Sequence, residues 1–413
     1  MKKNPKLPYL AAIVFAVIAI SPLFEQSVYA QTQNVLSAPF GYGANATGGA
    51  GGQVKVVATR TELDNALNAS ESAIILVKGT LNFGEEQMIR RVVANKTIIG
   101  LPGAKLLSDA QTANGGILQL SANSNNVIIR NLVFEGPGAY DVDGRDLLFV
   151  RGTNIWVDHC EFYDGVDGNF DISNEADNIT ATWNKFGYNK PAKAGGSGGS
   201  NDHRFSNLIS GGDGTAPADG RYSVTLAYNW WGNGVRERMP RARNAELHLL
   251  NNYVNSNVGA RAIGLSAGIN GTDVYVESCH FKAVATVLDV SYGGSPRVTI
   301  VGSDRSNGNT NGGASKPTYS YTAIPWESVE AAVTGPCGAG ATLQVNETTG
   351  AVSCGDSGIS PIIFANHSLL TTYHSLKYYD LTGQVLGNAQ PDKSGIYIVK
   401  NSKTGKTYKI AVK

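Results

Sequence analysis

At 413 residues, with 42% apolar and 16% charged side chains, the chain is too apolar to remain disordered and long enough to bury a sizeable core. A formal net charge of +1 excludes a global field for nucleic acid or an anionic membrane, so any attraction for anions must be local. Its 49 glycines, without a dominance of helix formers, argue for many short strands joined by turns.

In chain order, Met1-Lys2-Lys3, an apolar run over residues 10–20 and the small residues Val28 and Ala30 predict a signal peptide over residues 1–30, cleaved before Gln31. The apolar run is too short to span a bilayer and no later segment approaches a span, so the mature form is expected to carry none. Export also makes disulfides possible among Cys160, Cys279, Cys337 and Cys354.

Between residues 126 and 304 one phrase returns: a turn residue, an apolar strand, an Asn or Cys, then an aromatic. From starts at Val127, Ile155, Ile179, Val224, Leu247 and Val274, the residue five places on is Leu132, Cys160, Asn184, Asn229, Asn252 and Cys279. Seven places on stand Phe134, Phe162, Phe186, Trp231, Val254 and Phe281. The starts lie 28, 24, 45, 23 and 27 residues apart, so the long interval should hold an excursion, placed in the Gly, Ser and Asp-rich residues 194–220. A period in the twenties with one short strand per repeat predicts an all-β solenoid of parallel coils, a parallel β-helix over residues 31–358. The aromatic column fills its core, and the asparagine column bonds from rung to rung. A leucine-rich horseshoe lacks the leucines it would need.

Cys160 and Cys279 fall four rungs apart in that column, roughly 19 Å at about 4.8 Å per rung, too far to bond, and are expected free and buried. Cys337 and Cys354 close a short Gly-rich loop outside the repeat and are expected to pair. Residues 359–413 change texture to strands of a small C-terminal β domain. Tyr379-Asp-Leu-Thr-Gly383 and Gly395-Ile-Tyr397 give it a resemblance to the sorting domains of type IX secretion substrates, implying delivery by that machinery and attachment at the cell surface. A small adhesive or carbohydrate-binding module is the alternative.

Residues shortly after the aromatic column become neighbours on one face. Asp143 follows the first rung, Asp167 and Asp171 the second, Lys190 the third, and Arg238 and Arg243 the fourth. Carboxylates converging from several loops suit Ca²⁺. No Cys/His cluster suggests zinc or iron. In Arg236-Glu-Arg-Met-Pro-Arg241-Ala-Arg243, four guanidiniums lie beside them, a device for gripping the carboxylates of an acidic polysaccharide. Neutral charge and export disfavour a nucleic acid partner. Two decoys are read as structure: Asp158-His159-Cys160, because its cysteine belongs to the ladder, and Trp231, because it belongs to the aromatic column.

Thr47-Gly-Gly-Ala-Gly-Gly52, Thr97-Ile-Ile-Gly-Leu-Pro-Gly103, Trp156-Val-Asp-His159, Arg238-Met-Pro-Arg241 and His248-Leu-Leu-Asn-Asn-Tyr253 stand in the order of the family 1 pectate lyases, which the chain resembles over residues 38–325. The resemblance implies a right-handed parallel β-helix, secretion, and Ca²⁺-dependent β-elimination of α-1,4-linked polygalacturonate to unsaturated oligogalacturonates. It implies calcium ligands at Asp143, Asp167 and Asp171, a catalytic arginine at Arg238 and substrate-binding residues at Arg243 and Lys190. Lys193 stands near enough to take the lysine's place. Asp146 would be a fourth ligand with a one-residue shift, because the family's Asp-Gly-Asp reads here as Asp143-Gly-Arg145-Asp146. A monomer is expected. Competing expectations are a pectin lyase or polygalacturonase of the same fold, or a non-catalytic polysaccharide-binding β-helix.

Overall fold

The protein, a computed structural model, is described over residues 38–84, 88–112, 114–306, 310–354, 360–364, 376–380, 384–387, 395–401 and 407–412. The signal peptide expected at residues 1–30 lies outside these residues, as does the boundary expected near Gly358.

Three long parallel sheets run the length of the solenoid, with ten, eight and eight strands. The first is built from strands such as Asn125–Arg130, Thr153–Asp158, Asp177–Thr182, Tyr222–Ala227, Ala245–Leu250 and Asp273–Glu277. The second takes Val133–Glu135, Glu161–Tyr163, Lys185–Gly187, Trp230–Trp231 and Tyr253–Asn255. The third, the groove sheet, takes Ile89–Arg91, Leu118–Leu120, Leu148–Val150, Phe170–Ile172, Leu208–Ile209, Arg241–Ala242, Arg261–Leu265 and Thr286–Asp289. The expectation of one strand per repeat is thus corrected to three per coil. The recurring phrase covers the first two strands, whereas the third has no shared phrase because its outward residues serve the groove and differ from rung to rung.

The corner between the first two sheets shows why the phrase recurs. Asn131, His159, Trp183, Tyr228, Asn251 and Ser278 all adopt the left-handed region, with φ between 49° and 58°. This bend is uncommon outside glycine, and here it turns the next residue inward. There Asn184 Oδ1 accepts the N–H of Cys160, Asn229 Oδ1 that of Asn184, and Asn252 Oδ1 that of Asn229, each at 2.9 Å. Cys279 Sγ ends the ladder, accepting from Asn252 N–H at 3.4 Å. Two positions further on, Phe134, Phe162, Phe186 and Trp231 stack with centroids 4.9, 5.2 and 5.4 Å apart. Both columns are fully buried, so the turn's backbone bonds are satisfied inside an apolar core.

Cys160 and Cys279 are free and buried, while Cys337 and Cys354 are bonded with Cα atoms 5.5 Å apart. The helix Arg60–Asn68, started by a capping box between Thr59 and Glu62, buries Leu63, Ala66 and Leu67 against the first rungs. The long interval holds a loop and then the short strand Leu208–Ile209, which keeps the groove sheet continuous. A distinct five-stranded sheet follows, ordered Ser360–Phe364, Thr407–Val412, Gly395–Asn401, Leu376–Tyr379, Val385–Gly387. Among the described residues, no helix is long and apolar enough to cross a membrane.

Candidate functional site

The turns leading from the second sheet into the groove sheet carry the titratable residues. Asp146 stands two residues before Leu148–Val150, Asp167 three before Phe170–Ile172, and Arg238 three before Arg241–Ala242, while Asp171 lies within its strand. Stacking brings these positions together. A methyl group placed on Gly168 would lie 2.6 Å from Asp146 Oδ1 and 2.9 Å from Asp171 Oδ1, so the two carboxyl groups converge over a glycine where any added side chain would force them to shift. Asp146, Asp167 and Asp171 are all buried, and among the described residues Asp146 Oδ1 has no hydrogen-bond partner.

Their electrostatics follow from that crowding. Burial, reinforced by the charges of Asp171 and Asp167, holds the Asp146 carboxyl well above the usual range. Burial likewise pushes Asp171 up to about 7, with Arg238 opposing and Asp167 adding to the shift. Burial would raise Asp167 too, but the contact with His203 and the Gly144 N–H at 2.6 Å bring it below the usual range. Arg238, in the left-handed region with φ of 61°, carries the compensating guanidinium, set over the Phe205 ring at 4.9 Å with Nε enclosed and unbonded. A buried set of three carboxyl groups, one with an orphaned oxygen, fits a hard divalent cation.

The other expected residues are placed as follows. Asp143 is exposed on the turn before Gly144. Lys190 Nζ donates to Gly136 O at 2.6 Å and lies 3.5 Å from Glu135 Oε1. Lys193 Nζ instead lies over the Tyr140 ring at 4.2 Å. Arg243 is 3.3 Å from Asp213 Oδ1, its Nε enclosed. The decoys are structural: Asp158 and His159 are buried with Arg130, and Trp231 is buried with its Nε1 donating to Asn207 Oδ1 at 2.8 Å.

Two residues were not anticipated. His203 is only 6% exposed, with Nδ1 2.8 Å from Asp141 Oδ1 and Nε2 3.2 Å from Asp167 Oδ1. The Asp141 carboxylate in turn accepts the N–H of Ser200, and its carbonyl accepts the N–H of Gly198 at 2.8 Å. Asp141, Asp167 and His203 also form a group close enough to share a metal. Each ring nitrogen lies within ion-pair range of its own carboxylate, although neither completes a hydrogen bond among the described residues, so the arrangement is described as a strut between the glycine-rich loop and Asp167. Neither residue falls in the repeating phrase, and the loop holding His203 has no periodicity to reveal it.

A family model described as pectate lyase matches residues 8–334. A pectate trisaccharide-lyase of Thermotoga maritima is 32% identical over 54% of this chain and 55% of its own length, so the chain spans about half of that relative. Pectate lyase B of Colletotrichum gloeosporioides is 30% identical over 72% of this chain and 84% of its own. A pectate lyase from Bacillus sp. N165, solved in complex with trigalacturonate, shares the fold with a TM-score of 0.56 at 22% identity, over 74% of this chain and 99% of that one.

Proposed function

We propose, for a chain that belongs to the pectate lyase family, that it cleaves polygalacturonate by calcium-assisted β-elimination in the groove. The observation that carries this reading is the convergence of buried Asp146, Asp167 and Asp171 beside Arg238, with no hydrogen-bond partner for Asp146 Oδ1 among the described residues. These three are taken as the cation's ligands, and exposed Asp143 is left outside the set.

Calcium, when bound, neutralises the uronate carboxylate and so acidifies the proton at C5. The chain's own residues do the rest. Lys190 and Arg243 hold substrate carboxylates, Arg243 through its planar fork and Lys190 as a point charge. Arg238 is aligned to take the C5 proton, the C5–H electron pair becomes the C4–C5 double bond as the C4–O bond breaks, and solvent protonates the departing oxygen. The role of Arg238 as acceptor rests on the Arg-Met-Pro motif, since a guanidine ordinarily stays protonated. Phe205 beneath it and the enclosed Nε fix its direction, as a transition-state contact requires.

The test is ultraviolet absorbance of the unsaturated product from polygalacturonate, with and without chelator. Absorbance that vanishes with chelator is expected. The raised Asp146 and Asp171 carboxyl groups would also suit the acid of a hydrolase. New reducing ends without absorbance would establish that reading instead. The C-terminal sheet is assigned to sorting by the secretion machinery and to surface attachment. Truncation after residue 358 is expected to leave an active enzyme that is no longer delivered.

A further inference from the structure

The groove continues past the acidic cluster. Along its register Asp171 pairs with Phe149, Phe149 with Gln119, and Gln119 with Arg90. Their strand neighbours Ile89, Leu118 and Leu148 are buried in the core, and strand residues alternate sides, so this column faces the groove. Three rungs separate Arg90 from Asp171, roughly 14 Å at about 4.8 Å each, a few sugar rings along a polymer.

Arg90 is exposed, and its Nε donates to Gln119 Oε1 at 3.2 Å, which orients the guanidinium. The adjacent Arg91 has an acid partner, Asp64, at 2.8 Å, but no acidic side chain among the described residues pairs with Arg90. Arg145 stands on the turn that leads into Leu148–Val150, the strand carrying Phe149. It is half-buried, its Nε is enclosed without a partner, and its terminal nitrogen donates to Gly144 O at 3.0 Å. Partial burial and then the charge of Arg145 lower the pKa of Arg90, as expected of neighbouring guanidiniums that repel. Elsewhere Arg151, Arg204, Arg221 and Arg297 each carry a carboxylate. Among the described residues neither Arg90 nor Arg145 carries a carboxylate, which leaves both available to a ligand's anion. Half-buried Phe149, between Arg90 and Asp171 along the register, offers an apolar face to a sugar ring.

We infer that Arg90, Arg145 and Phe149 form a remote subsite for a galacturonate unit of the polymer, its carboxylate on the two guanidiniums and its ring against Phe149. The inference rests on the pectate-cleaving reading of the groove. A remote contact of this kind adds binding energy only for chains long enough to reach it, so it favours polymer over short oligomers.

The experiment compares kcat/KM for polygalacturonate and for trigalacturonate in wild type, Arg90→Gln, Phe149→Ala and the double variant Arg90→Gln/Arg145→Gln. The polymer-to-trimer ratio is expected to fall about tenfold in the double variant and a few-fold in each single one. An unchanged ratio in Arg90→Gln, whose exposed side chain leaves the fold intact, overturns the subsite while leaving the lyase reading standing. If wild type releases no unsaturated product, that reading fails by itself. The subsite is then judged by calorimetric binding of saturated hexagalacturonate in chelator: weaker binding by Arg90→Gln supports it, equal binding overturns it.

Discussion

Nε2 of His203 lies 3.2 Å from Oδ1 of Asp167, and the same ring reaches Asp141 through Nδ1 at 2.8 Å. One buried imidazole therefore sits between a proposed cation ligand and Asp141, the residue that accepts from the loop at Gly198 and Ser200. Groups that orient ligands contribute about 10 to 100-fold in metal affinity. His203→Ala is expected to raise the calcium needed for half-maximal activity by at least about tenfold, with kcat at saturating calcium much less affected. Terbium luminescence should report the same weakening without turnover. An unmoved calcium curve would remove the strut from the account.

Asp146 and Asp143 separate cleanly by experiment, since one is buried in the cluster and the other is exposed three residues earlier. Asp146→Asn is expected to lower activity at ordinary calcium by roughly a hundredfold, while Asp143→Asn stays within about twofold of wild type, as surface changes usually do. The metal-free Asp146→Asn protein should also melt higher, because the substitution relieves a carboxyl group that burial and two like charges disfavour. Lower activity with no gain in melting temperature would count against the crowding argument.

Asn229 tests the ladder. Its side chain accepts from Asn184 N–H at 2.9 Å and donates to Ala181 O at 3.0 Å, all in the core. Asn229→Ala leaves these two groups buried and unpaired, at about 1–3 kcal/mol each, so a loss of roughly 2–6 kcal/mol is expected in denaturant titration. A loss below about 1 kcal/mol would mean that the aromatic stack alone sets the rung.

Those same residues explain what was readable in the sequence. Asn184, Asn229, Asn252 and the aromatic column recur because every coil faces the same turn and the same core, so stacking repeats the chemistry and the chemistry appears as a period. The groove strands follow no such rule: Gln119, Phe149 and Arg241 occupy equivalent outward positions and share nothing, which hid the third sheet. At the site, Asp167, Asp171 and Arg238 could be aligned by their distance from the aromatic column. Asp143 aligns in the same way, and Asp146 enters only as a fourth ligand with a one-residue shift, because the turn from Asp141 to Asp146 admits more than one register and only stacking chooses which carboxylate is buried. His203 lies well inside a non-repeating loop, where sequence distance carries no information about its neighbours.

His248 sets a pH dependence of stability. It is fully buried, with Nδ1 2.6 Å from the Tyr319 hydroxyl, and burial followed by the charge of Lys316 lowers its pKa from 6.5 to about 3. The folded protein thus keeps this ring neutral where the unfolded chain protonates it. Its contribution is complete above pH 6.5 and is lost as pH falls toward about 3, at no more than about 1.4 kcal/mol per pH unit. The melting temperature of His248→Gln should therefore fall less steeply than that of wild type between about pH 6 and about pH 4. Parallel slopes would show that His248 takes up its proton without unfolding.

Arg238 and Arg243 are separated by role. Arg238 projects from a left-handed backbone position, lies over Phe205 at 4.9 Å and has its Nε enclosed, so its terminal nitrogens have one available direction. Arg238→Lys keeps the charge beside the three carboxylates and much of the polymer affinity, because Arg243 and Lys190 still hold substrate. A lysine ammonium, however, has no planar fork and sits elsewhere on its stem, and misplacement of about an ångström can cost roughly a hundredfold in rate. The loss should fall on kcat more than on KM, the pattern of a contact that matters chiefly in the transition state. Arg243, 3.3 Å from Asp213, loses only its fork when changed to Lys, so KM should rise by up to about tenfold with kcat nearly kept. The opposite pattern would exchange the two roles and leave elimination, with Arg243 then aligned on the proton, as the reaction to be tested.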